Sequence, residues 1–131
     1  MGEREIDPIV LWRIQENRAL VRRNPIPHMT RAYQAQEAMA GKSRDEVCSG
    51  LTDEQAKCLR LFARHAHYGT LPITEVADLM RMGDGNAYDL CEGLAYAGLL
   101  GRWGPTWYCV NPHIEEAIGV KRARANAAFG P

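Results

Sequence analysis

The feature that most limits the possible folds of this chain is a helix that leads directly into a β-hairpin. Helical spacing extends from Asp84 to Ala97, and Gly98 follows at the position where a left-handed glycine commonly ends a helix. Two β-prone segments, 99–103 and 106–110, then flank the turn dipeptide Gly104-Pro105. The sequence therefore predicts a mainly α-helical fold with a small β-hairpin.

Further helices are predicted on the N-terminal side of this unit. Two pairs of residues have capping-box spacing and mark the starts of a short turn and of a helix, namely Ser43 with Glu46 and Thr52 with Gln55. A following helix has Pro72 in its first turn, and Asp84 is the predicted N-cap of the helix before the hairpin. The apolar side chains that these helices turn inward are Leu59, Phe62, Ala66, Val76 and Met80.

Additional helices are predicted at both ends of the chain. Asp7 is the predicted N-cap of the first helix, which stops at Asn24 because prolines follow. A weaker helix is predicted from Thr30 to Gly41, and a last helix begins at Asn111-Pro112. We therefore divide the chain into an N-terminal helical extension (1–48), a core (49–112), and a C-terminal helix with a frayed tail (113–131).

The distribution of charge argues against a simple phosphate-binding domain. The 131-residue chain has no formal net charge, but residues 45–100 hold nine Asp or Glu against four Lys or Arg, while residues 1–44 hold eight Lys or Arg against five Asp or Glu. Domains that mainly clamp phosphates usually carry a basic excess where they do so. No segment approaches the ~18 apolar residues of a membrane span and no signal peptide is visible, so we expect a cytoplasmic location.

The order helix, helix, short turn, helix, hairpin resembles the winged helix-turn-helix. The ending Leu94…Ala97-Gly98-Leu99-Leu100 is similar to the ending of the recognition helix in that family, and the resemblance covers about residues 51–112. With helices before and after the core, the chain is similar to bacterial and phage regulators of the multiple-antibiotic-resistance-regulator type. The resemblance implies a non-catalytic, DNA-binding transcriptional regulator that forms a homodimer and places one recognition helix per protomer in the major groove of double-stranded DNA.

Carried over position by position, the resemblance implies which residues face DNA. In the recognition helix they are Asp84, Gly85, Asn86, Tyr88 and Asp89. The candidate DNA-binding residues are Gly85, Asn86 and Tyr88 from this set, together with Arg81, Arg102 and Thr106. The Asn86 amide can pair with adenine, and Tyr88 can stack or contact a phosphate. The same helix also carries Asp84, Asp89 and Glu92, which a phosphate backbone repels.

An acidic recognition helix also fits a second interpretation, a protein-protein interaction module. Its surface would consist of acidic side chains on the helix and tryptophans on the hairpin, namely Asp84, Asp89, Glu92, Trp103 and Trp107. Tryptophans often anchor protein interfaces. A phage or mobile-element inhibitor that docks on a nucleic-acid-binding protein would have this pattern.

The two end helices carry a basic cluster that suits either dimerisation or a phosphate-binding flank. Its members are Arg13, Arg18, Arg22, Arg23, Lys121, Arg122 and Arg124. Arginines from the ends of the chain would let a neutral protein hold the DNA phosphates, while the recognition helix makes only a few contacts to bases. The alternative is a solvated face that complements the helix dipoles.

We expect no catalytic residues, no metal and no cofactor. Cys58, His65 and His67 have spacing that suggests zinc, but a tetrahedral site needs more ligands than a helical face can bring together here. The four cysteines are scattered without a CxxC pattern, so we expect reduced thiols.

Overall fold

A computed structural model describes residues 4–23, 25–65 and 70–120, with the backbone alone for 25–29. The helices are α1 (Pro8–Arg23), α2 (Pro25–Glu37), α3 (Arg44–Cys48), α4 (Asp53–His65), α5 (Ile73–Met80), α6 (Asp84–Tyr96) and α7 (Glu115–Ile118), with a 3₁₀ turn at Pro112–Ile114. The strands are β1 (Thr70–Pro72), β2 (Leu100–Trp103) and β3 (Trp107–Val110). Within the described ranges, no helix combines the length and the apolar character needed to cross a membrane.

The chain is mainly helical with a small three-stranded antiparallel sheet, as the sequence predicted in outline. The strand order is β1-β3-β2, with Leu71 opposite Tyr108 and Leu100 opposite Val110. The β2–β3 hairpin was predicted, but β1 was not. A three-residue strand has no measurable periodicity, and its last residue, Pro72, also serves as the N-cap of α5.

The hydrophobic core lies between α4, α5, α6 and the sheet. Phe62, Val76, Leu94 and Tyr108 are completely or almost completely buried there. Ile14 of α1 is buried in the same cluster. The N-terminal helix is therefore packed against the core instead of extending away from it.

Both predicted capping boxes are confirmed. In the box at α3, the backbone N–H of Glu46 donates to Oγ of Ser43 (3.3 Å), and the Ser43 N–H donates to the Glu46 carboxylate (3.1 Å). In the box at α4, the equivalent bonds between Thr52 and Gln55 are 3.1 and 3.0 Å long. Each box satisfies two backbone donors at a helix start, which fixes where α3 and α4 begin.

Four predicted helix ends need correction. Helix α5 begins at Ile73, and Pro72 is its extended N-cap instead of a residue of its first turn. Helix α2 begins at Pro25 instead of Thr30, because a proline fits the first helical position even though it stops the preceding helix. The N-cap of α6 is Gly83, and Asp84 is the first residue inside the helix. The predicted last helix is a 3₁₀ turn followed by α7, which ends at Gly119 in a left-handed conformation.

The end of α6 follows the sequence prediction closely. Gly98 has a φ of +85°; its N–H donates to Ala95 O (3.0 Å), and the Leu99 N–H donates to Leu94 O (2.9 Å). This pair of bonds is the Schellman arrangement, which a left-handed glycine permits. The buried side chain of Asn111 donates to Gly98 O (2.8 Å) and to Gln36 O (2.9 Å), so it ties α2 to the end of α6.

Candidate nucleic-acid interface

Helix α1 covers Gly85 and Tyr88, two of the α6 residues that the resemblance assigned to DNA. Asp84, Tyr88 and Glu92 are four residues apart and therefore share one side of α6. Their partners in the N-terminal segment are, in the same order, Arg4, Asn17 and Arg18. Helices α1 and α6 therefore run in the same direction. A Cβ added at Gly85 would lie 3.6 Å from Cγ2 of Val10, which places the start of α1 directly over the start of α6.

Asp84 at the first turn of α6 is held inside the protein by an arginine. Arg4 donates two hydrogen bonds to its carboxylate, one of them 3.0 Å long, and the Asp7 N–H donates a third (2.8 Å). Arg4 also pairs with Asp78 at 2.8 Å. The hydrogen bonds from Arg4 outweigh partial burial and hold the pKa of Asp84 below its ordinary value. Asp84 is therefore engaged within the chain and faces neither DNA nor a partner.

Tyr88 is buried, which corrects the expectation that it contacts DNA. Its hydroxyl accepts a hydrogen bond from Nδ2 of Asn17 (2.7 Å). The guanidinium of Arg13 lies over its ring, with Cζ 4.9 Å from the ring centroid, and also pairs with the exposed carboxylate of Asp89. Arg13 is thus paired within the chain and is not a free phosphate ligand.

Glu92 is the centre of a charged network under the hairpin. Arg102 donates two hydrogen bonds to it (3.1 and 2.7 Å), the Tyr108 hydroxyl donates another, and Nη1 of Arg18 lies 3.9 Å away. Burial opposes the ionisation of Glu92, but the hydrogen bonds from Arg102 and Tyr108 and the charges of Arg102 and Arg18 together outweigh it, so the pKa of Glu92 is lowered. Burial and the neighbouring Glu92 carboxylate raise the pKa of Tyr108. This network joins α1, α6 and the hairpin.

The remaining candidate DNA contacts are divided between different surfaces. Asn86 is exposed, but it lines a shallow cleft with Glu54 and Asp89. Arg81 is exposed at the left-handed C-cap of α5. The backbone carbonyl of Thr106 accepts a hydrogen bond from the Ile73 N–H (2.9 Å), which holds the hairpin turn against the start of α5.

A different surface brings arginines together, and sequence reasoning recognised only part of it. Two clefts share the residues Val21 and Arg102. The arginines that line them come from α1, α2 and β2, namely Arg18, Arg22, Arg31 and Arg102, and we call this surface the arginine face. Among the described residues, no acidic side chain lines either cleft.

The rest of the predicted basic cluster is not part of the arginine face. Arg23 is exposed at the end of α1. Lys121, Arg122 and Arg124 lie outside the described residues. Arg31 was not among the predicted site residues; its guanidinium lies over the ring of Tyr96, with Cζ 4.0 Å from the centroid. An Arg and a Tyr 65 residues apart give no sequence signal of this contact.

The two tryptophans of the hairpin lie on the face opposite to Arg102 and Tyr108. Trp103 and Trp107 are directly opposite each other in the sheet, and Trp103 is 63% exposed. Since side chains alternate along a strand, Trp103 points away from the side on which Arg102 reaches Glu92. The tryptophans and the acidic residues of α6 therefore do not form one continuous surface.

The residues considered for zinc do not converge. Cys58 is buried, whereas His65 is exposed at the end of α4, and His67 lies outside the described residues. In the described part of the chain, no group of three or more potential metal ligands occurs. The thiol of Cys58 instead forms a hydrogen bond with the buried thiol of Cys91. This hydrogen bond and burial raise the pKa of Cys91.

Comparison of the chain with protein-family models, with curated proteins and with solved structures gave no match.

Proposed function

We propose that the chain is a winged-helix, DNA-binding transcriptional regulator that holds the DNA backbone with its arginine face. The order α4-β1-α5-α6-β2-β3, with β1 and the hairpin in one sheet, supports a winged helix in which β2–β3 is the wing. Because a fold of this kind does not define its ligand, the binding proposal depends on the side chains.

The observation that carries this proposal is the arrangement of arginines around two adjoining clefts. Arg22 and Arg31 are exposed, Arg102 is on the wing and is paired with Glu92, and no acidic side chain from the described residues lines either cleft. Guanidinium groups match the geometry of phosphate oxygens. The acidic face of α6 does not oppose this mode of binding, since Asp84, Asp89 and Glu92 already have arginine partners within the chain.

This mode of binding differs from major-groove readout by the start of α6. Helix α1 lies over Gly85, and Tyr88 is buried. We therefore expect contacts that are mainly to phosphates, with a weak dependence on base sequence.

Fluorescence anisotropy with random-sequence duplex DNA tests the proposal. Binding should weaken with salt, with a slope of log K against log [salt] of about −1.8 if the exposed Arg22 and Arg31 each neutralise one phosphate, since Arg102 is already paired with Glu92. The variants Arg22→Ala and Arg31→Ala should each reduce that slope by about one unit. Arg60→Ala, which removes an exposed arginine from α4, is the matched control and should leave the slope unchanged. Absence of duplex binding at low salt contradicts the proposal.

A protein-binding module is the second candidate, favoured by apolar side chains on the outer surface of α1. Ile9, Trp12 and Leu20 are all more than half exposed. A second copy of the chain is the first partner to test, because the proposed regulator is expected to be a homodimer. Sedimentation at high micromolar concentration should give a dimer, and Trp12→Ser should shift it towards the monomer. A wild-type monomer under these conditions refutes the homodimer.

A further inference from the structure

A concave site lies between α1 and the β2–β3 turn, at one side of the arginine face. Its volume is about 410 Å³, and its lining includes Gln15, Arg18, Val21, Arg22, Arg102 and Pro105. That volume lies within the range of small-molecule sites. Three guanidinium groups surround the cleft, together with two apolar residues, so its chemistry suits an anionic group attached to an apolar or aromatic body.

Arg18 has hydrogen-bonding capacity that the fold does not use. Its side chain is only 14% exposed, and Nε and Nη2 are buried without a hydrogen-bond partner among the described residues. Its third nitrogen, Nη1, lies 3.9 Å from Glu92, and the guanidinium lies over the Tyr108 ring with Cζ 5.8 Å from the centroid. Buried donors are nearly always paired in proteins, so Arg18 is a charged side chain whose hydrogen bonds the described chain leaves incomplete, and its exposed part lines the cleft.

The charges around the cleft favour an anion with two negative charges. Arg18, Arg22 and Arg102 bring three positive charges, and Glu92 is the one carboxylate within 4 Å of them in the described structure. Two positive charges remain uncompensated. A phosphomonoester has close to two negative charges at neutral pH and three acceptor oxygens, whereas a carboxylate has one charge and two oxygens.

We propose that this cleft binds a small molecule through a terminal phosphomonoester, held by Arg18, Arg22 and Arg102, with its body against Val21 and Pro105. The same group is found on a free mononucleotide and at the 5′ end of a nucleic acid. This site shares Arg18, Arg22 and Arg102 with the arginine face, whereas Arg31 lines only the neighbouring cleft.

Isothermal titration calorimetry with adenosine 5′-monophosphate tests the site, with adenosine as the control that lacks phosphate. The nucleotide should bind at low salt and adenosine should not. Gln15→Glu adds a negative charge to the cleft at an exposed position and should weaken nucleotide binding by at least about fivefold. Gln34→Glu makes the same change at an exposed position of α2 outside both clefts and should have no such effect. Arg18→Gln should also weaken binding.

Two results overturn this inference. One is the absence of binding heat with millimolar adenosine 5′-monophosphate. The other is nucleotide binding that neither inorganic phosphate nor Gln15→Glu weakens. An oligonucleotide with a 5′-phosphate identifies the source of the ligand: stronger binding than its 5′-hydroxyl counterpart supports a nucleic-acid end, and equal binding supports a free nucleotide. Arg31→Ala should weaken duplex binding and leave nucleotide binding intact, so failure of the duplex proposal is distinguishable from failure of this one.

Discussion

Gly98 is the position at which a single added carbon should most disturb the arrangement of α2 on the core. A Cβ at residue 98 would lie 2.3 Å from the backbone oxygen of Ala35 and 2.6 Å from its carbonyl carbon. Backbone atoms of a helix cannot move away without moving α2. The φ of +85° adds a second cost, because left-handed geometry is unfavourable for alanine.

The expected loss of stability for Gly98→Ala combines these two effects. The left-handed conformation costs roughly 1–2 kcal/mol for a residue with a Cβ. Displacement of α2 also threatens the bond from Asn111 to Gln36 O (2.9 Å), and an unpaired buried donor costs about 1–3 kcal/mol. We expect a decrease of about 2–5 kcal/mol in the free energy of unfolding.

Gly104→Ala is the matched control for this prediction. Gly104 has a φ of +73°, but a Cβ there would meet no atom within 4 Å. It should therefore cost only the roughly 1–2 kcal/mol of the left-handed conformation. Urea denaturation followed by circular dichroism gives both values. If Gly98→Ala costs no more than Gly104→Ala, the close approach of α2 to the end of α6 is not as we describe it.

The remaining predictions concern the charged network on α6. The pKa values of Asp84 and Glu92 are lowered in the folded protein, so the unfolded chain takes up protons first as the pH falls. Their stabilising contribution is complete above the ordinary carboxyl pKa values and should decrease as the pH falls below about 4.5. Urea midpoints measured from pH 7 to pH 3 should therefore fall less steeply in Asp84→Asn than in the parent protein. An unchanged pH profile contradicts the prediction. Glu92→Gln leaves Arg18 and Arg102 without their carboxylate and should cost about 1.5–3 kcal/mol. Asp89→Asn removes a pair between two partly exposed groups, Arg13 and Asp89, and should cost less than about 1 kcal/mol in the same denaturation assay. Equal losses for these two variants argue against a central role for Glu92.

The sequence predicts the parts of this fold that local chemistry determines. The capping boxes at Ser43 and Thr52 and the glycine end at Gly98 depend on residues within a few positions of each other, and all three are confirmed. Pro25 shows the limit of such reasoning, since the same residue is suited both to ending one helix and to starting the next.

The candidate site depends on contacts that are distant in the chain. The acidic residues of α6 and the arginines of the N-terminal segment were both visible in the sequence, but Arg4 and Asp84 are 80 residues apart, and no local rule pairs them. The pairing decides whether α6 offers free carboxylates or a covered face. The arginine face likewise arises only when α1, α2 and β2 are brought together, which explains why Arg31 was missed.

The central claim is that α1 stays on α6 while the arginine face binds the DNA backbone, and a disulfide that locks α1 in place tests it most directly. Val10→Cys with Gly85→Cys joins positions that are in contact, and mass spectrometry verifies the bond. We predict that the locked protein binds duplex DNA in the anisotropy assay as tightly as the reduced double variant and as the parent protein under the same oxidation. Loss of binding in the locked protein that returns on reduction would contradict the claim, because α6 would then have to be uncovered to contact DNA.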